Sequence, residues 1–122
     1  MVLLSHHIYE YKKGLRNLVL HTASNKDLDK VIKKLDGCDI PYLVKFVSKQ
    51  KVNVFFGDQV CLEIVKGFIH KKLTYLTPEE DFILGTMLGY NRLQQCNRYI
   101  NRKDRQFPDV IKLTKNGYKN VS

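Results

Sequence analysis

The tightest constraint on the fold lies mid-chain. Two β-branched and aromatic runs, Tyr42-Leu43-Val44-Lys45-Phe46-Val47 and Val52-Asn53-Val54-Phe55-Phe56, are separated only by Ser48-Lys49-Gln50-Lys51. So short a polar connection between two strand-forming runs dictates an antiparallel hairpin. Upstream, Arg16 to Thr22 is a short apolar run that follows Gly14 and alternates too weakly for a strand with one wet face, so it reads as a strand covered on both sides. Between that strand and the hairpin, Ser24 and Asp27 stand three apart at a helix start. Leu28, Val31, Ile32 and Leu35 then recur at amphipathic spacing, Lys26, Lys30, Lys33 and Lys34 take the outward face, and Asp36-Gly37 supplies the stop. A strand, helix, strand order predicts a right-handed crossover between parallel strands, to which the hairpin adds an antiparallel one. The expected fold is therefore α+β, a small three-stranded mixed sheet in βαββ order packed by helices. Ser5 to Lys13 fits either a helical turn or an edge strand.

The second half of the chain reads as helical. Asp58 is the expected N-cap of a helix carrying Val60, Leu62, Ile64, Val65, Phe68 and Ile69. Thr77-Pro78-Glu79-Glu80 is the best local signal in the chain: a capping hydroxyl, proline at the first helical position and a glutamate placed to complete a capping box. One long helix is expected from there to about residue 101, with Phe82, Gly89, Leu93, Cys96 and Ile100 in one seam and Gly85 beside it. Each glycine costs a helix about 1 kcal/mol against alanine. Close packing against the sheet, another helix or a second subunit is one return on that cost; a ligand on bare backbone is another.

Length allows one domain, expected over residues 1–101, with a basic, polar tail over residues 102–122 that is flexible or docked on a partner. Apolar residues form 43% and charged residues 27% of the chain, as in globular proteins. Neither a signal-peptide core nor a membrane span is visible, so a cytoplasmic location and no membrane partner are expected. Cys38, Cys61 and Cys96 lie too far apart for a compact zinc motif, and Cys96 reads as a packing residue or a reactive thiol. The clear departure is a net charge of +9, which biases the protein towards polyanions: nucleic acid, acidic lipid or an acidic protein.

Few groups suggest catalysis. His6, His7, His21 and His70 show no helical metal spacing and read as surface or packing residues, and Glu79, Glu80 and Asp81 are explained by a helix start. Walker, GxSxG and Gly-rich phosphate patterns are missing, so no metal, cofactor or catalytic residue is expected. A site between subunits near Gly85 and Gly89, with His21, Arg92 or Cys96 nearby, stays open. Tyr9, Tyr11, Lys12, Lys13 and Arg16 mix aromatic and basic groups as single-stranded nucleic-acid surfaces do, or are an amphipathic segment whose tyrosines cover the core.

Three blocks carry a resemblance: His6 to Leu20, Leu76 to Gly85, and Leu88 to Cys96. Together they resemble an uncharacterised bacterial family of short proteins known only as domain of unknown function number two thousand and twenty-three. The resemblance covers roughly residues 3 to 101. It implies a three-stranded α+β homodimer with no established activity, and an association with genes for flavodoxin, an acidic electron carrier. The functional expectation is a non-enzymatic dimeric accessory protein that binds such an acidic partner. Its basic surface would use Tyr9, Tyr11, Lys12, Lys13, Arg16, Lys49 and Lys51, and its dimer helix Phe82, Gly85, Gly89, Leu93 and Cys96. A nucleic-acid-binding module is the alternative, as is a small-ligand sensor or enzyme with a site at the subunit interface.

Overall fold

The computed structural model describes residues 1–103, together with the backbone of two short strands at residues 111–114 and 117–120. The chain runs α1 (Val2–Lys12), β1 (Leu18–Ser24), a 3-10 turn (Asn25–Asp27), α2 (Leu28–Gly37), β2 (Tyr42–Phe46), β3 (Lys51–Gly57), α3 (Gln59–Lys66), a second 3-10 turn (Leu73–Tyr75), α4 (Pro78–Met87) and α5 (Arg92–Lys103). Beyond these, β4 (Ile111–Thr114) pairs with β5 (Gly117–Asn120) in a separate antiparallel ladder. The expectation of a flexible or docked tail otherwise falls outside the described residues. No helix among the described residues is long and apolar enough to cross a membrane.

The α+β class and the βαββ order are as expected, but the pairing is not mixed. Strand order is β1-β3-β2, and both ladders are antiparallel, Leu18 facing Gly57 and Tyr42 facing Phe56. β1 and β2 do run parallel, yet β3 lies between them. Burial explains the insertion. Every residue of β3 from Val52 to Gly57 is buried, whereas β2 is half-buried from Tyr42 to Lys45 and exposed at Phe46, so the more fully buried strand takes the centre.

Helices cover both faces. On one, Leu4 and Ile8 of α1 and Val31 and Leu35 of α2 pack on Val19, Val54 and Phe56; on the other, Leu62 and Val65 of α3 and Leu84 of α4 pack on Leu18 and Phe55. Leu4 and Ile8 are one helical turn apart, which settles the first segment as a helix rather than an edge strand. Gly57 has φ +141°, and an added Cβ there would meet the carbonyl of Asn17, so β1 and α3 start only where the backbone is bare.

Two caps differ from expectation. Ser24 ends β1, and its hydroxyl donates to Asp27 Oδ2 (3.1 Å) rather than capping backbone N–H groups. Asp58 does stand at the α3 N-cap, but its carboxylate accepts from Tyr11 Oη (3.0 Å) and Asn17 Nδ2 (2.7 Å) instead of from the helix. The Thr77 capping box forms in full: Glu80 N–H donates to Thr77 Oγ1 (3.1 Å) and Thr77 N–H to Glu80 Oε1 (2.9 Å).

The long helix is two helices. Gly89, with φ +78°, closes α4 with a Schellman pair, Tyr90 N–H to Gly85 O and Gly89 N–H to Thr86 O, and Asn91 Oδ1 then caps α5 through Gln94 N–H (3.0 Å). The expected seam through both glycines is broken accordingly. Gly85 is the close-packed one, against the side chain of Gln95, whereas a Cβ at Gly89 would meet open space. Asp81 pairs with Arg98 (2.6 Å) and Arg102 (3.8 Å), Glu79 with Lys103 (3.0 Å), and Phe82 lies 5.5 Å from Tyr99 between ring centroids, which folds α5 back along α4.

Candidate binding groove

A concavity of about 520 Å³ opens on the α3 face of the sheet, at the end nearest the β2–β3 turn. Its floor is Asn53 and Phe55 of β3, its near rim Lys45, Phe46 and Val47, and its far wall Val65, Phe68 and the stretch from Ile69 to Thr74. Hairpin geometry makes the floor, because Lys45 is registered with Asn53 and Leu43 with Phe55. The far wall exists because α3 ends at Lys66 and the chain crosses back over β2 before the Thr77 cap starts α4.

The polar groups of this groove are mainly donors. Asn53 is 8% exposed; its Oδ1 accepts from Thr22 Oγ1 (2.7 Å), and its Nδ2 has no partner among the described residues. Lys45 Nζ donates to His70 O (3.0 Å), which pins the far wall to the sheet. Lys71 Nζ holds both oxygens of Glu80 (2.8 and 3.1 Å), and that contact, with the Thr77 N–H, keeps the Glu80 carboxyl below the usual range. Among the described residues, Lys45, Lys49, Lys51 and Lys72 have no carboxylate partner, and Phe46, Val47, Leu73 and Tyr75 stand exposed beside them. A largely apolar groove with the Asn53 amide donor in its floor and lysine cations at its rim suits a partner that carries acceptors and negative charge.

A family model described as "Protein of unknown function (DUF2023)" matches residues 2–102. The chain belongs to that family. No curated protein matches it. The DUF2023 match covers the five α-helices of the described residues but for the last residue of α5, as well as the whole three-stranded sheet, so the groove lies wholly within the family's domain.

The residues expected to bind a partner do not form one surface on this DUF2023 fold. Tyr9, Lys12 and Lys13 lie exposed at the end of α1, with Lys13 Nζ 5.6 Å from the Tyr9 ring centroid, whereas Lys49 and Lys51 flank the β2–β3 turn. These clusters mark opposite ends of β1 and β3, about 20 Å apart for seven-residue strands. Tyr11 turns inward, edge-on to Phe56, and Arg16 spans to α4, where its guanidinium donates to Leu88 O (3.1 Å). Among the dimer-helix residues, Phe82 and Cys96 line a second concavity of about 450 Å³ with Ile83 and Ile100, while Leu93 is 72% exposed.

Sequence reasoning missed two features. The groove brings Lys45 and Asn53 together with Phe68 to Thr74, and only the hairpin register and the return of the chain after α3 could have placed them. It also missed His7 against His21, Nδ1 to Nδ1 at 3.3 Å with rings edge to face. Burial lowers the pKa of both. Arg16 adds to the effect on His7, and His7 and the N-terminal ammonium add to that on His21.

Proposed function

We propose that this protein is a non-enzymatic, dimeric accessory protein that binds an acidic protein partner, a flavodoxin-type electron carrier being the leading instance. The observation that carries the reading is the groove rim, where Lys45 and Lys72 stand without carboxylate partners beside exposed Val47 and Leu73. Cations at a rim steer an acidic partner and set its salt dependence, while apolar side chains beside them hold it once docked. Net charge of +9 adds long-range attraction to the same partner. The second subunit is assigned to the half-covered apolar face of α4 and α5, where Ile83, Leu93 and Ile100 are exposed.

Titration calorimetry with flavodoxin from the same organism tests the partner. Binding is expected at low ionic strength, weakening by about tenfold or more as salt rises to physiological levels. The double substitution Lys45→Glu and Lys72→Glu should abolish it, while Lys12→Glu at the opposite end of the sheet should have a smaller effect. No binding even at low ionic strength removes the proposal, and tighter binding to single-stranded RNA than to the acidic protein replaces it with the nucleic-acid reading.

A further inference from the structure

The strand that borders the groove is also an open edge. In the β2–β3 ladder, Gly57 N–H donates to Pro41 O (3.3 Å) and Val47 N–H to Lys51 O (3.0 Å). Antiparallel pairing alternates, so Pro41, Leu43, Lys45 and Val47 direct their backbone groups towards β3, and Tyr42, Val44 and Phe46 direct theirs outward. No hydrogen bond among the described residues reaches those outward N–H and C=O groups. Edges of this kind are usually blunted by charge or proline, yet β2 carries one lysine and no proline between Tyr42 and Phe46.

We infer that β2 accepts an extended acidic segment of the partner as a fourth strand, with carboxylates on the groove side and apolar side chains on the other. The inference rests on the acidic-partner reading and adds the form in which the partner is recognised. Charge and alternation choose the occupant. Side chains opposite Leu43 and Lys45 fall on the groove face, where Lys45 and Lys72 offer cations and Asn53 Nδ2 a free donor, so glutamate or aspartate suits those positions. Side chains opposite Tyr42, Val44 and Phe46 fall on the α2 face, where Tyr42 and Val44 join the core and Phe46 is 62% exposed, so valine, isoleucine or phenylalanine suits these. Main-chain hydrogen bonds then supply affinity, and the two-residue alternation supplies selectivity.

The test uses the full chain and a fluorescein-labelled peptide that alternates glutamate with valine, beside a control that alternates lysine with valine. The acidic peptide should bind, and the control should not. On binding, amide hydrogen exchange at Tyr42, Val44 and Phe46 should slow by about tenfold or more, with little change at Leu43 and Lys45, whose amides are already in the ladder. Val44→Pro removes an outward N–H without breaking an internal bond, so it should weaken the peptide by about tenfold. If that variant fails to fold, the exchange pattern of the unmodified chain decides. Acidic-peptide binding with unchanged exchange at Tyr42, Val44 and Phe46 overturns strand addition and leaves the acidic-partner reading standing. Absence of binding by both the peptide and the acidic protein overturns both. Self-association that protects the same amides without peptide assigns the edge to a second copy and overturns the inference.

Discussion

At the residue scale, the contact between half-buried His7 and buried His21 ties stability to pH. His21 is 7% exposed, and both His7 and His21 hold a proton less tightly folded than at the ordinary value of 6.5, chiefly because burial penalises the charged ring. The unfolded chain therefore binds more protons as pH falls through 6.5, and stability is full above that value and declines below it. The thermal midpoint should drop between about pH 7.5 and about pH 5.5, and His21→Gln should flatten that part of the curve. Glu10 opposes the effect at His7 while Arg16 and His6 reinforce it, so Glu10→Gln should steepen the slope. Gly57 carries a different constraint. Gly57→Ala places a Cβ against Asn17 O at a backbone angle that alanine resists, and should cost ~2–4 kcal/mol in urea unfolding.

At the element scale, the α4 cap is the strongest local device. Thr77→Ala should remove about 1 kcal/mol, read as a shifted urea midpoint with an unchanged slope. Gly89→Ala should cost a similar amount, about 1 kcal/mol, because its left-handed angle closes α4; Gly85→Ala should cost less, since only the end of the flexible Gln95 side chain must move. Local patterns of this sort were legible: the α2 stripe, the hairpin and the capping box are encoded within a few residues. What was not legible depends on contacts between distant segments. Ser24 and Asp58 look like caps in one dimension, but in the fold their side chains meet Asp27, and Tyr11 with Asn17, instead. Gly85 and Gly89 share a spacing that fits one continuous helix, and only the closing turn at Leu88 to Asn91 separates their roles. The groove needs β2, β3 and the return of the chain after α3 at once, and no window of sequence holds all three.

At the scale of the whole molecule, two surfaces stand out. The groove rim carries Lys45 and Lys72 without carboxylate partners, and the α4–α5 face carries exposed Ile83, Leu93 and Ile100. If α5 carries the dimer contact, Leu93→Glu should give a monomer in sedimentation velocity with thermal stability nearly unchanged, because Leu93 is exposed within one subunit. Gly89→Leu separates the two effects poorly, since it strains the α4 closure whether or not subunits meet there. The central position of β3 has a further consequence, for the order in which the chain is made. Among the described residues, β1 and β2 pair only with β3, the last of the three to leave the ribosome. A nascent chain that stops before Lys51 holds two strands with no ladder between them, and translation must pass Gly57 before the sheet can close. The domain is thus committed late in its own synthesis, when one strand arrives between two that are already waiting.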